Sequence, residues 1–229
     1  MIDKLKAMGI WPDYPLPDFL KRVVIALFGF FLIAVANVMG LYADLGVRPD
    51  NSLYVGIANH TSITVGQASQ LFTLAIILLN IFFKIYPAIG TLMDMYFVGL
   101  FMDIIMAGGW MPVPETMVGR VVMLLLSIPV VAIGIGLYMC MKIGEGPRDG
   151  LMLALNEKFG WRISIVRNSI EGLLLVGAII LGGPIGLGTV LQVLLPGFFV
   201  ERSLKAFRYP FKKERLKALI TNKLPEGEE

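Results

Sequence analysis

Charge is what this chain has least of. Of 229 residues 16% are charged and 56% hydrophobic, with a mean hydropathy of +0.75, whereas a soluble globular domain carries about 25% charged residues. That deficit excludes a soluble domain. Cysteine occurs once, at Cys140, so neither an intrachain disulfide nor a cysteine metal cluster can form, and the residue reads as a small apolar filler. Histidine also occurs once, at His60 in the polar run NHTS; a proton relay and a solvated loop are both open there, the loop being the plainer reading. Walker, zinc, serine-elbow and nucleotide-binding patterns are missing, so no cofactor or metal is expected, and no nucleophile and base pair assembles into an enzyme.

Long apolar runs are what the chain does have. Six of them, roughly 22–44, 64–86, 90–107, 118–142, 163–182 and 186–206, match the ~20 helical residues needed to cross a ~30 Å hydrocarbon core. Two shorter stretches, 50–59 and 148–159, are too short to span and suit half-helices dipping into the bilayer. The N-terminal MIDKLKAMGIWPDYPLPDFLKR lacks the form of a signal peptide. With six crossings and both termini inside, the basic residues fall mostly on the cytoplasmic side, and only Arg48 and Arg120 face outward, as the positive-inside rule requires. The basic, amphipathic tail 208–229 is expected to lie on the anionic cytoplasmic leaflet; nucleic-acid binding is the poorer account of its charge.

A shift of 98 residues aligns the chain with itself. Arg22-Val23-Val24 falls on Arg120-Val121-Val122, Gly46 on Gly144, Pro49 on Pro147, Leu53 on Leu151, and Gly90-Thr91 on Gly188-Thr189. The expected architecture is therefore an all-α integral membrane fold in which six transmembrane helices form a 3+3 inverted-topology repeat. Residues 20–110 make repeat 1 and 118–207 repeat 2, after a cytoplasmic segment 1–19. Each half carries a re-entrant or broken half-helix after its first span. Three crossings per half force the second copy to enter upside down, the design of many secondary transporters, whose sites lie where interrupted helices meet at the bilayer midplane.

The polar residues at those interruptions are the first candidates. Asp50, Asn51, Arg148 and Asp149 sit at the starts of the half-helices, where proline is pre-set for the first turn and acids favour the positive end. Two readings stand side by side: simple capping of interfacial helices, or a shared polar cavity. On the fifth span Ser164, Arg167, Asn168 and Glu171 recur at i, i+3, i+4 and i+7, one polar stripe on an apolar helix. Their counterparts on the second span are Gly66, Ser69, Gln70 and Thr73. Arg167 and Glu171 are one turn apart and able to pair, either as a structural bridge or as part of a solute pathway. Asp94, with counterpart Gln192, is a weaker candidate for the same cavity, while Asp103 and Glu201 lie near span ends.

These motifs, LGxxP with an acid-bearing half-helix, then IGT, then GPRDGLMLAL and GLGT, resemble the bacterial YczE/YyaS/YitT group of integral membrane proteins, and within it the YczE branch, over residues 20–206. Most members of that group are uncharacterised and described only as candidate transporters. The resemblance implies a multi-pass protein of the bacterial cytoplasmic membrane. The group's first motif usually reads Pro-Trp-Asp, where this chain has Pro49-Asp50-Asn51. The expected activity is alternating-access transport, coupled or not to a proton or ion, of a small polar or zwitterionic solute, with Asp50, Asn51, Gln70, Asp94, Arg148, Asp149, Arg167, Asn168 and Glu171 as solute contacts. A membrane-embedded binding or accessory subunit and an aquaporin-like channel are the alternatives. Lipid is the one partner the composition demands, and self-association is left open.

Overall fold

Pro17 and Asp18 suit the first turn of a helix, where a missing N–H costs nothing and a carboxylate meets the positive end. Accordingly α1 runs Leu16–Ala43, starting six residues before the apolar run that suggested it. The computed structural model describes residues 15–83, 86–144, 146–148, 151, 160 and 163–207, with backbone alone for 163–168. The remaining elements are α2 Pro49–His60, α3 Val65–Phe82, α4 Ile89–Gly108, α5 Met117–Cys140, α6 Ile163–Ile180, α7 Leu187–Leu194 and α8 Pro196–Ala206. Among the described residues there is no strand.

Helices α1, α3, α4, α5 and the α7–α8 stretch Leu187–Ala206 are long and apolar enough to cross a membrane, and α6 has a shorter apolar part, Ser169–Ile180. Their outward faces present Phe28, Leu78, Phe82, Leu126, Ile179 and Leu187. A surface that apolar needs lipid against it, and the chain is a multi-pass membrane protein. The stretch 186–206, expected as one continuous span, is divided at Pro196, which opens α8; proline cannot donate to the preceding turn and its ring crowds it.

α1 and α5 form the centre and run antiparallel. Arg22 near the start of α1 donates from Nη1 to the Met141 carbonyl past the end of α5 (2.8 Å), and Arg120 near the start of α5 donates from Nη1 to Asp44 Oδ2 past the end of α1 (2.8 Å). The helices touch where Gly29 faces Gly134. A Cβ on Gly29 would come 2.8 Å from the Gly134 oxygen, and one on Gly134 would come 2.7 Å from the Gly29 oxygen, the close approach that small residues permit inside membranes. Phe30, Ile33, Met102, Val131 and Tyr138 fill the core around this crossing. α4 and α8 pack on the central pair, α3 on α4, and α2 against α3 and α6.

The two ends of this pair carry matching detail. Asp44 and Lys142, 98 residues apart, both close their helices in the left-handed region at φ 52, and Gly46 and Gly144 follow with φ 95 and 153. The Gly188 N–H donates to the Leu45 carbonyl (2.8 Å), and the Gly90 N–H donates to the Ile143 carbonyl (2.9 Å). Each bond is the other with both residues moved by 98 and the halves exchanged. Arg120, Asp44, Leu45 and Gly188 thus share one end of the α1–α5 pair, and Arg22, Met141, Ile143 and Gly90 the other.

Candidate functional site

The segments that follow the opposite ends of the central pair, around Pro49 and around Pro147, come into contact. Arg48 precedes α2 in extended backbone, Pro49 opens the helix, and Asp50 sits in its first turn. Pro147 and Arg148 are likewise helical. Asp50 Oδ2 accepts a hydrogen bond from Arg148 Nη2 and lies 3.2 Å from Arg48 Nη2, while Arg148 Nη1 is 4.0 Å from Glu171 Oε1 on α6. Signs alternate along Arg48, Asp50, Arg148 and Glu171, and the four formal charges sum to zero. The Asp50 side chain is 5% exposed, against 24% for both Arg48 and Glu171 and 27% for Arg148, so the carboxylate at the centre is closed off while the groups around it are partly open.

Uncharged polar groups hold both motifs in place. Asn51, buried, donates from Nδ2 to Asn37 Oδ1 on α1 (3.1 Å), and Asn80 on α3 donates from Nδ2 to the Pro147 carbonyl (2.7 Å). The Arg48 N–H donates to Gln192 Oε1 on α7 (2.9 Å); Gln192 Nε2 is 3.5 Å from Ser127 Oγ, which donates to the Leu124 carbonyl (2.7 Å). Asn37, Arg48, Ser127 and Gln192 border a cavity of about 10 Å³, room for one water molecule. A wider pocket of about 340 Å³ lies elsewhere, between the α2–α3 turn and the end of α4, beside Thr64 and Asp103. Both Asp103 oxygens are engaged there, accepting from Thr64 Oγ1 (2.5 Å) and the Gly66 N–H (2.9 Å), so Asp103 serves the start of α3.

Of the residues expected to contact solute, Asp50, Asn51, Arg148 and Glu171 come together. Gln70 does not join them: its Nε2 donates to the Tyr96 carbonyl (2.9 Å), turning it into the α3–α4 contact. Asp94 is half-buried on α4 and does not border the water-sized cavity, whereas its counterpart Gln192 does. Asp149 and the side chains of Arg167 and Asn168 lie outside the described residues, so the expected Arg167–Glu171 pair does too; the partner described for Glu171 is Arg148. His60 is exposed, with Nδ1 2.9 Å from the Gly56 carbonyl oxygen. No cluster of three metal-ligating side chains occurs among the described residues.

The sequence reading missed five members. Arg48, counted with the outward-facing bases, is turned into the protein against Asp50. Asn37, Asn80 and Ser127 went unmarked and Gln192 entered only as the counterpart of Asp94, although an amide in an apolar helix interior is itself a signal of a buried polar contact.

The chain matches the family described as "Family of unknown function (DUF6198)" over residues 20–205. It is 34% identical to "Uncharacterized membrane protein YczE" of Bacillus subtilis (strain 168) over 161 residues, 70% of this chain and 74% of that one. An "Uncharacterized protein" of Haemophilus influenzae is 31% identical over 181 residues, 79% and 82% of the two chains. "Uncharacterized protein YyaS" of B. subtilis is 25% identical over 180 residues, 76% and 87%. No solved structure matches.

Proposed function

The chain belongs to DUF6198, the family of the YczE and YyaS membrane proteins, and from that premise we propose that it is a secondary transporter or uniporter for a small polar or zwitterionic solute. The observation that carries this reading is the contact between Asp50 and Arg148, residues at equivalent positions of a 98-residue repeat. A two-fold axis between two copies brings equivalent positions face to face. The exchanged pair of backbone bonds at Leu45 and Ile143 and the antiparallel α1 and α5 fit an axis lying in the membrane plane, hence a 3+3 inverted repeat with six crossings.

Depth follows from reach. From Arg22 to Ala43 at 1.5 Å per residue the two ends of α1 are about 32 Å apart. The five steps from Leu45 to Asp50, and the five from Ile143 to Arg148, extend at most ~17 Å each. Two such arms entering from opposite ends meet only near the middle. Irregular backbone and charges at that depth require shielding by protein or water, which favours half-helices dipping in over half-helices lying on the surface. In this reading the chain sits in the bacterial cytoplasmic membrane with both termini inside, and no catalytic step is ascribed to it.

A water-sized cavity fits a closed state, in which one half must rock against the other to admit solute. That small volume is also the observation favouring the second reading, a membrane-embedded binding or accessory subunit; a channel is the less economical account of a pore crossed by four paired charges. Purified protein is screened for ligands by thermal shift, where a ligand at a hundred times its Kd stabilises by about 2.7 kcal/mol, and the hits are offered to proteoliposomes. Saturable, trans-stimulated uptake supports a carrier. Stable co-purification of a partner, with no flux of any stabilising ligand by the protein alone, overturns it.

A further inference from the structure

We infer that the cluster couples one proton, taken by Glu171, to one monoanionic carboxylate, taken by Arg148. The inference rests on the carrier reading and adds the solute's charge and the coupling ion. Arg48, Asp50, Arg148 and Glu171 sum to zero when all are ionised, so among the described residues the cluster holds no unbalanced charge. Its two acids are not alike. Asp50, almost wholly buried, shares one oxygen with both guanidinium groups. Glu171 is a quarter exposed and has one described charge partner, 4.0 Å away, beyond the 2.7–2.9 Å of a charge-assisted hydrogen bond. Protonating Asp50 would remove the carboxylate that both arginines share and leave Glu171, 4.0 Å from Arg148, as their one described counter-charge; protonating Glu171 removes one long contact at a partly exposed position.

The groups facing Glu171 are Arg148, with Asp50, Arg48 and Tyr54 behind it on the α2 side. α3 contributes no ionisable side chain, Glu171's counterpart there being Thr73. The side chain of Arg167, on Glu171's own helix, and residues Asp149, Glu157 and Lys158 lie outside the described residues. Once a proton converts the Glu171 carboxylate to the neutral acid, Arg148 is left with Asp50, shared with Arg48, as its one described counter-charge, and the described cluster carries one net positive charge. A planar carboxylate matches a guanidinium edge, and the cluster lies at the positive start of α2, whose first turn holds Asp50. One proton in and one monoanion in returns the sum to zero. Proton and anion therefore bind cooperatively, each raising affinity for the other, and the loaded site crosses the membrane without moving net charge.

The test is calorimetric titration of the detergent-solubilised full chain with sodium formate, lactate and pyruvate, and with glycine as the zwitterion, in two buffers of different ionisation heat. At least one monocarboxylate is expected to bind with about one proton taken up, its affinity falling roughly tenfold per pH unit, the slope of one linked proton. Glu171→Gln binds the same anion without proton uptake and with a flat pH profile, Glu171→Asp restores the uptake, and Arg148→Met abolishes anion binding. Failure of all three carboxylates to bind, binding of glycine alone, or unchanged proton uptake in Glu171→Gln overturns the inference. The two readings fail separately: trans-stimulated flux without proton-linked anion binding sinks only this one, and proton-linked anion binding without flux sinks only the carrier.

Discussion

Neutralising Asp50 isolates the contact on which the site depends. In Asp50→Asn the carboxylate that accepts from Arg148 and sits 3.2 Å from Arg48 becomes an amide, and Glu171, 4.0 Å from Arg148 alone, is the one counter-charge described in the cluster. Removing one member of a buried pair costs about 3–5 kcal/mol, because the remaining charge is uncompensated. Both arginine side chains keep about a quarter of their surface exposed, which places the loss near ~3 kcal/mol. At about 2–4 °C per kcal/mol for a chain of this size, the melting temperature in detergent should fall by roughly 6–12 °C. Arg148→Met leaves Asp50 with Arg48 and should cost less. Since the two sites interact directly, the double variant should recover about 1–3 kcal/mol of the summed single losses. Melting of all four proteins, followed by tryptophan fluorescence or by loss of the monodisperse elution peak, measures the cycle. An Asp50→Asn protein that melts within a degree of the parent, or single losses that simply add, would refute the reasoning.

Three further substitutions probe the supports of the site. Gly29→Leu places a branched side chain where even a Cβ would come 2.8 Å from the Gly134 oxygen; it should force α1 from α5 and cost at least ~2 kcal/mol, seen as lost folded yield, while a leucine at exposed Phe28 should be tolerated. Asn51→Leu strands Asn37 Oδ1 and should destabilise by about 1–3 kcal/mol, and adding Asn37→Leu should return part of that loss, since two matched apolar groups leave no orphaned acceptor. Thr64→Ala removes the Oγ1 that accepts from the Gln67 N–H and donates to Asp103, while the backbone N–H of residue 64 keeps Gln67 Oε1, with an expected loss of about 1 kcal/mol in melting experiments.

Helix positions were legible because bilayer thickness fixes a length that a run of apolar residues either reaches or does not. The boundaries were less so. Pro17 and Asp18 look like linker residues yet suit a first helical turn, and Pro196 is hidden in a stretch apolar on both sides. The short helix α2 was legible from Pro49 and Asp50, whose residue types announce a helix start. Partnership across the fold was another matter. Spacing on one helix shows that Arg167 and Glu171 can meet, but not that Arg148, from a different segment, approaches Glu171. Repeat comparison found Asp50 and Arg148 because each had a counterpart. It passed over Arg48 because the equivalent residue is Gly146, and it placed Gln70 in the site although that side chain bonds α4.

The most direct test concerns Asp44 and Lys142, equivalent residues on opposite ends of the α1–α5 pair. In a Cys140→Ser background, Asp44→Cys and Lys142→Cys are exposed to a membrane-impermeant maleimide in intact cells and after permeabilisation. An inverted repeat with both termini inside requires that Cys at 44 react from outside and Cys at 142 only once the membrane is opened. Labelling of both from the same side would contradict the account.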